Sequence, residues 1–180
     1  MIPEIRTRRL LLRGWTDADR PAYAAINADP AVREFLGPLL SPAEADAEID
    51  RFMARWDERG FGLWCVELDG MCIGFTGLAD PGFMPAVEVG WRLASGQWGH
   101  GYAPEAARAA LAFGFGELDL DEIVSFTVVR NLKSRRVMEK LGMVHDSTAD
   151  FDHPRAAGDL RRHVLYRLPF ATWQRRPGAF

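Results

Sequence analysis

Residues 87–118 read as a strand, a glycine-rich turn and a helix in unbroken succession. Val87, Val89, Trp91 and Leu93 alternate with Glu88, Gly90 and Arg92, the period-two pattern of a strand with two distinct faces. Trp98-Gly99-His100-Gly101-Tyr102-Ala103 follows, and from Pro104 to about Leu118 the residues suit a helix. Such a turn presents unpaired backbone amides at a helix N-terminus, where the helix dipole also favours negative charge. Gly99 and Gly101 carry no Cβ, so a ligand can come close to the backbone. Pro104 suits the first helical position, because its missing N–H would have no helical partner. The physical expectation is a cradle for a diphosphate.

The rest of the chain sets that unit in a mixed sheet. Thr7–Trp15 predicts a first strand. Thr16-Asp17-Ala18-Asp19 predicts a helix start, with the helix running over about 17–27. Asp29-Pro30 opens a short helical stretch through Phe35, ended by Gly37-Pro38. Ser41-Pro42-Ala43-Glu44 is a capping box, and Ile49, Phe52, Met53 and Trp56 recur at helical spacing until Gly60. Asp69-Gly70 between the apolar runs 61–68 and 71–78 predicts a hairpin, with 87–93 as its third strand. Residues 122–129 are β-branched and predict a buried strand. Residues 133–141 predict a helix closed by Gly142, 143–146 the start of a strand, 147–158 a loop and 160–168 a last strand, with a peripheral tail after Pro169. The order predicts an α+β fold: a mostly antiparallel sheet with one βαβ crossover, flanked by helices. It reads as a single domain over 1–180, with its core at about 5–170.

Composition excludes several classes. The net charge is -3 and no run of like charges occurs, which disfavours a nucleic-acid partner. No apolar run approaches the roughly 18 residues of a membrane span, and residues 1–6 lack the apolar core of a signal peptide. Cys65 and Cys72 fall offset on two strands of one hairpin and read as free thiols in a reducing cytoplasm. Neither their spacing nor the four histidines predict a metal site.

With these motifs in place, the chain resembles the GCN5-related N-acetyltransferases (GNAT family). More narrowly it resembles the RimJ/RimL-type branch that acetylates ribosomal-protein N-termini, with its small-molecule relatives. The turn Trp98–Ala103 after Glu88-Val89-Gly90-Trp91 is similar to the family's acetyl-CoA loop. Thr7-Arg8-Arg9-Leu10-Leu11-Leu12-Arg13 resembles the branch's opening strand. Asn131-Leu132-Lys133-Ser134, running into Met138-Glu139-Lys140-Leu141-Gly142-Met143, resembles its second cofactor motif, and Arg162-His163-Val164-Leu165-Tyr166 its final strand. Two departures stand out. Trp98 replaces the wider family's Gln or Arg, as is usual in this branch. Met138 occupies the position where many members carry a tyrosine that protonates the departing thiolate, and a thioether has no proton to donate.

The resemblance implies direct transfer of acetyl from acetyl-CoA to a primary amine, on a protein N-terminus or a small molecule. It assigns the amides of Gly99, His100, Gly101, Tyr102 and Ala103, with Trp98, to the pyrophosphate, and the main chain of Trp91, Arg92 and Leu93 to the pantetheine arm. Asn131 is either a pantetheine contact or only an N-cap. Ser134, three residues on and on the same side of its helix, is the candidate to stabilise the leaving thiolate, or else a helix-start residue bonded to backbone. Lys133, Arg135 and Arg136 are placed to reach phosphates or to form a solvated face. Glu88 is the candidate base, with a salt bridge to a residue such as Arg92 or simple solvent exposure as its alternative, and its loss as base is expected to weigh most at low pH. His163 reads as structural and His153 as a lesser candidate for the acceptor pocket. Trp15, Phe35, Phe61, Trp64 and Phe83 are core or pocket wall. The protein is expected to be a cytoplasmic monomer or homodimer. Two other classes are open: a non-catalytic acyl-CoA-binding module, and a dinucleotide-binding oxidoreductase with Asp119 as a ribose-binding acid.

Overall fold

The structure, a computed structural model, describes residues 2–175. A nine-stranded sheet forms its centre. In order across the sheet run β1 (Ile5–Arg6), β2 (Leu11–Arg13), β3 (Leu63–Leu68), β4 (Met71–Ala79), β5 (Glu88–Leu93), β6 (Glu122–Val128), β9 (Arg162–Pro169) and β7 (Val144–His145), with β8 (Phe151–Asp152) also on β9. Every pairing is antiparallel except β5 with β6. The helices are α1 (Arg20–Asn27), α2 (Pro30–Arg33), α3 (Pro42–Arg59), α4 (Tyr102–Gly116), α5 (Leu132–Leu141) and α6 (Phe170–Gln174). The mixed α+β architecture with one crossover, β5–α4–β6, is the one expected.

Three local expectations need correction. The stretch 7–15 is not one strand. Thr7 N–H donates to the Leu10 carbonyl at 2.9 Å, its hydroxyl accepts from Leu10 N–H, and the chain folds back so that Ile5 pairs with Leu12. The 147–158 loop contributes β8 to the sheet, with Phe151 opposite His163. The tail is not peripheral up to Arg175: Trp173 is fully buried, 5.5 Å from the Phe115 ring, with Phe170 at 5.6 Å. Its last five residues lie outside the described residues.

The two sheet faces hold two cores because side chains alternate along each strand. On one face Trp64, Val66, Leu78, Val89 and Ile123 pack beneath α4. Trp64 sits between Trp56 at 4.7 Å and Phe113 at 5.2 Å, edge-on to both, each such pair adding about 0.5–1.5 kcal/mol beyond area burial. Helix α4 lies close to the sheet because it presents Ala106, Ala107, Ala110 and Gly114. A Cβ on Gly114 would stand 2.7 Å from Ile123 Cδ1. On the other face Trp15, Tyr23, Ile49, Cys65 and Phe75 form a smaller core beneath α1 and α3.

The Asp69-Gly70 hairpin forms as expected, both residues left-handed at φ 50° and 81°. Strand β4 then bulges, the pairing slipping from Val66–Gly74 to Glu67–Cys72. Gly74 has φ 138°, and a Cβ there would lie 2.0 Å from the Arg92 carbonyl oxygen. Neither backbone can yield, so Gly74→Ala is expected to destabilise by about 3 kcal/mol or more, read as a drop in urea midpoint, with β4 and β5 losing their register.

Candidate active site

The crossover strands part soon after they meet. β5 and β6 share one bridged pair, Glu88 with Val124, supported by Val124 N–H donating to the Val87 carbonyl and Ser125 Oγ donating to the Val89 carbonyl, both at 2.9 Å. Beyond Val89 this edge of β5 has no strand beside it among the described residues. The gap opens into a cavity of about 600 Å³. Gly90, Trp91, Arg92 and Leu93 line it from β5, and Ser125, Phe126 and Thr127 from β6. An unpaired strand edge can take an extended amide-bearing ligand as an added strand.

One end of the cavity reaches the glycine turn. Gly99 and Gly101 both have φ 82°, and nothing lies within 4 Å of a Cβ built on Gly99. Helix α4 begins at Tyr102, two residues before Pro104, so the expected start at Pro104 is corrected. Among the described residues, no loop or cap hydrogen bond uses the amides of residues 99–103. Lys133, beside Trp98, lines this end, and Arg136 and Lys140 also line the cavity. Open amides at a helix N-terminus, bare glycines and three cations fit a diphosphate-bearing ligand. Trp98 acts through its ring: Nε1 donates to the Leu93 carbonyl at 2.9 Å, and Lys133 Nζ lies 4.2 Å from the ring centre. Arg135 points elsewhere, donating to Tyr166 Oη and the Val129 carbonyl.

The middle of the cavity carries Asn131, Ser134 and Met138. The Asn131 side chain is occupied on both sides, accepting from Ser134 N–H at 3.2 Å as the cap of α5 and donating to Thr127 Oγ1 at 3.0 Å. The geometry is that of the N-cap alternative. The Ser134 hydroxyl makes no hydrogen bond among the described residues, although its residue lines the cavity. Met138 is buried in the core at 1% exposure. Tyr102 is the one tyrosine on the lining, and it belongs to the phosphate end.

The other end lies on the face beneath α1–α3. Glu88, Gly90 and Arg92 share that face, and Val32, Phe35, Phe75 and Phe126 complete the wall. Glu88 has no hydrogen-bond or ion-pair partner among the described residues, and burial alone pushes its carboxyl up to about 8. Arg92 is not its partner. Arg92 Nη1 donates to Glu48 Oε2 at 2.8 Å, Asn27 Oδ1 at 2.6 Å and Tyr23 Oη at 2.9 Å. The Tyr23 hydroxyl in turn donates to Glu48 at 2.6 Å. This network ties β5 to α1 and α3 and holds the Glu88 face in place. Nothing in the local pattern around Tyr23, Asn27 or Glu48 marks it, since the partners lie 44–69 residues from Arg92.

The remaining candidates sit behind the wall. Phe126 contacts a cluster of Phe83, Phe151, His153 and His163, with the two imidazoles 4.8 Å apart. Burial lowers both histidines; the nearby His163 and Arg155 act in the same direction on His153, and the hydrogen bond to the Arg161 carbonyl opposes it at His163. Trp15 and Trp64 are core, and Phe61 packs against the larger core. His100 stacks on Tyr102 at 5.6 Å. Away from the cavity, the bulge in β4 puts Cys72 on the face of Cys65, and their thiols and an Asp19 oxygen lie within 4.8 Å of one another. Both Asp19 oxygens are already engaged by Arg13, and Oδ2 also by Thr16, which leaves the group poorly suited to a metal.

Comparison with known proteins now bears on this arrangement. The family model described as an acetyltransferase (GNAT) domain matches residues 9–144. This chain belongs to the GNAT acetyltransferase family. An FsC-acetyl coenzyme A-N(2)-transacetylase of Aspergillus fumigatus is 35% identical, covering 96% of this chain and 79% of the relative. The uncharacterized protein YkkB of Bacillus subtilis is 31% identical over 79% of this chain and 86% of its own. An acetyltransferase of Agrobacterium tumefaciens superposes with a TM-score of 0.80 at 34% identity, covering 93% of this chain and 95% of that one. The parted β5 and β6 and the open glycine turn are therefore the cleft of a GNAT domain, and membership supports an acetyltransferase activity.

Proposed function

We propose that this GNAT domain transfers acetyl from acetyl-CoA directly to a primary amine, in the manner of the RimJ/RimL-type branch, with a protein N-terminus or a small-molecule amine as acceptor. The observation that carries the reading is a single cavity that joins the open glycine turn to two unpartnered side chains, Ser134 and Glu88. The amides of residues 99–103 with Lys133 and Arg136 hold the pyrophosphate. The free edge of β5 at Trp91–Leu93 takes the pantetheine amides and delivers the thioester between α5 and β6. Glu88, ionised, takes a proton from the acceptor ammonium. The free amine nitrogen attacks the thioester carbon, the C–N bond forms, the C–S bond breaks, and the proton still surplus on the new amide nitrogen goes to the departing sulfur, so the products are the neutral amide and CoA thiol. The thiolate departs toward Ser134, whose hydroxyl donates to it; a thiol of pKa about 8.5 needs no stronger acid. The free thiols of Cys65 and Cys72 agree with a reducing cytoplasm, and the protein acts as a monomer or homodimer.

Purified protein with acetyl-CoA and a panel of peptides, polyamines, aminoglycosides and simple amines is expected to release free CoA above background with at least one acceptor. Tight acetyl-CoA binding without release on any acceptor would overturn the reading in favour of a non-catalytic acyl-CoA-binding module. Ser134→Ala is expected to lower kcat about 10-fold or more, the worth of one hydrogen bond to a charged group, and to leave the acetyl-CoA Kd within about twofold. An unchanged kcat removes Ser134 from the chemistry.

A further inference from the structure

The first turn of α4 carries an acid where the proposed ligand is an anion. Glu105 is the fourth residue of the helix that opens at the glycine turn, and its N–H donates to the Gly101 carbonyl. An ionised carboxylate there repels a diphosphate bound at the helix N-terminus, by the same field that favours the diphosphate. Arg9 meets it. Arg9 Nε and Nη2 both contact Glu105 Oε2 at 2.7 Å, and Arg9 N–H donates to Oε1 at 2.9 Å. Thr7 adds a hydroxyl donor to Oε1 at 2.7 Å. Burial by itself would raise the Glu105 carboxyl, and the Thr7 and Arg9 hydrogen bonds lower it instead, so it is ionised and paired.

The same guanidinium also touches the turn. Arg9 Nη1 donates to the His100 carbonyl at 2.9 Å, between the two glycines. Its carbon lies 4.5 Å from the centre of the Tyr102 ring, which stacks on His100. A Cβ on Gly101 would stand 3.4 Å from Nη2. The Thr7–Leu10 turn, which takes residues 7–10 out of the expected first strand, is what brings Arg9 here across 96 residues of sequence. Drawn toward Arg9, the His100 carbonyl is held by a donor outside the ligand-binding side of the loop.

We propose that Arg9 is a positioning residue for the diphosphate site: it cancels the Glu105 charge and anchors the His100 carbonyl, so that the start of α4 accepts an anion. This rests on the CoA reading above, and CoA with pantetheine, which lacks the diphosphate, separates the two. In calorimetric titrations the wild-type protein is expected to bind CoA more tightly than pantetheine. Arg9→Ala is expected to raise the Kd for CoA about tenfold, the scale of one charge at a helix terminus, with the pantetheine Kd unchanged. Adding Glu105→Gln to Arg9→Ala is expected to recover most of that loss. Arg9→Lys, which keeps the charge and loses the fork, is expected to lie between, and serves if the alanine variant is unfolded. Equal losses for both ligands, no loss for CoA, or no recovery with Glu105→Gln would each overturn the proposal. A wild-type protein that binds CoA no better than pantetheine would overturn the diphosphate reading itself, and this inference with it.

Discussion

Glu88→Gln is expected to lower kcat for acetyl transfer about 100- to 1000-fold at pH 8.5, within the range of a lost general base. The wild-type rate is expected to rise with pH up to about 8, because only the ionised carboxylate takes a proton and burial has raised its pKa to about 8. Well below pH 8 most of Glu88 is protonated, so the gap between the two enzymes narrows there. This reverses the sequence-based expectation that the substitution weighs most at low pH, and the unpartnered burial of Glu88 is the reason. Stability should move the opposite way. A carboxyl raised from 4.5 to about 8 on folding opposes folding when ionised. The penalty is absent below about pH 4.5, grows through the interval and is complete above about 8. Glu88→Gln should therefore melt with the wild type at pH 4.5 and above it at pH 9. A variant within threefold of wild type in kcat at pH 8.5, with the same pH limb, would remove Glu88 as base.

Trp173→Ala is expected to cost about 3–5 kcal/mol, the range for emptying a fully buried aromatic site, or about 10 °C in Tm for a domain of this size. Trp173 is fully buried against Phe115, which Phe170 also meets, so α6 closes the larger core below the crossover helix. Its Nε1 is buried without a hydrogen-bond partner among the described residues. Trp173→Phe removes that unpaired donor along with some volume and is expected to cost less than about 1.5 kcal/mol. Ending the chain at Pro169 should resemble the alanine variant. A melting temperature within 2 °C of wild type for Trp173→Ala would show that α6 does not support the core.

Much of the site was legible because its signals are local. The Asp69-Gly70 turn, the Ser41–Glu44 capping box, the alternation of 87–93 and the glycine turn before a helix each state a backbone preference within a few residues. Together they order the elements as strand, helices, hairpin and crossover. Glu88 could be put on the face opposite Val89 and Trp91 for the same reason, since period-two alternation is a property of the strand alone. The tail after Pro169 failed that test: Phe170 and Trp173 span a single short turn, and only the proximity of Phe115 gives them a buried role. The first strand failed because the Thr7 hydroxyl and Leu10 close a turn inside a stretch whose partial alternation reads as extended.

Chemical identity was thus present in the chain: a diphosphate cradle, a carboxyl on the far face and a serine at the start of α5, all within reach of one crossover unit. Their states were settled by packing. The parting of β5 from β6 after a single bridged pair makes the cavity. Asn131 is spent on its helix and on Thr127 while the Ser134 hydroxyl is left without a partner among the described residues. Glu48, Asn27 and Tyr23 take the Arg92 guanidinium away from Glu88, and Arg9 comes to Glu105. Each of these is a competition for partners between groups far apart in sequence, and a carboxyl's charge or a hydroxyl's freedom depends on which neighbour wins.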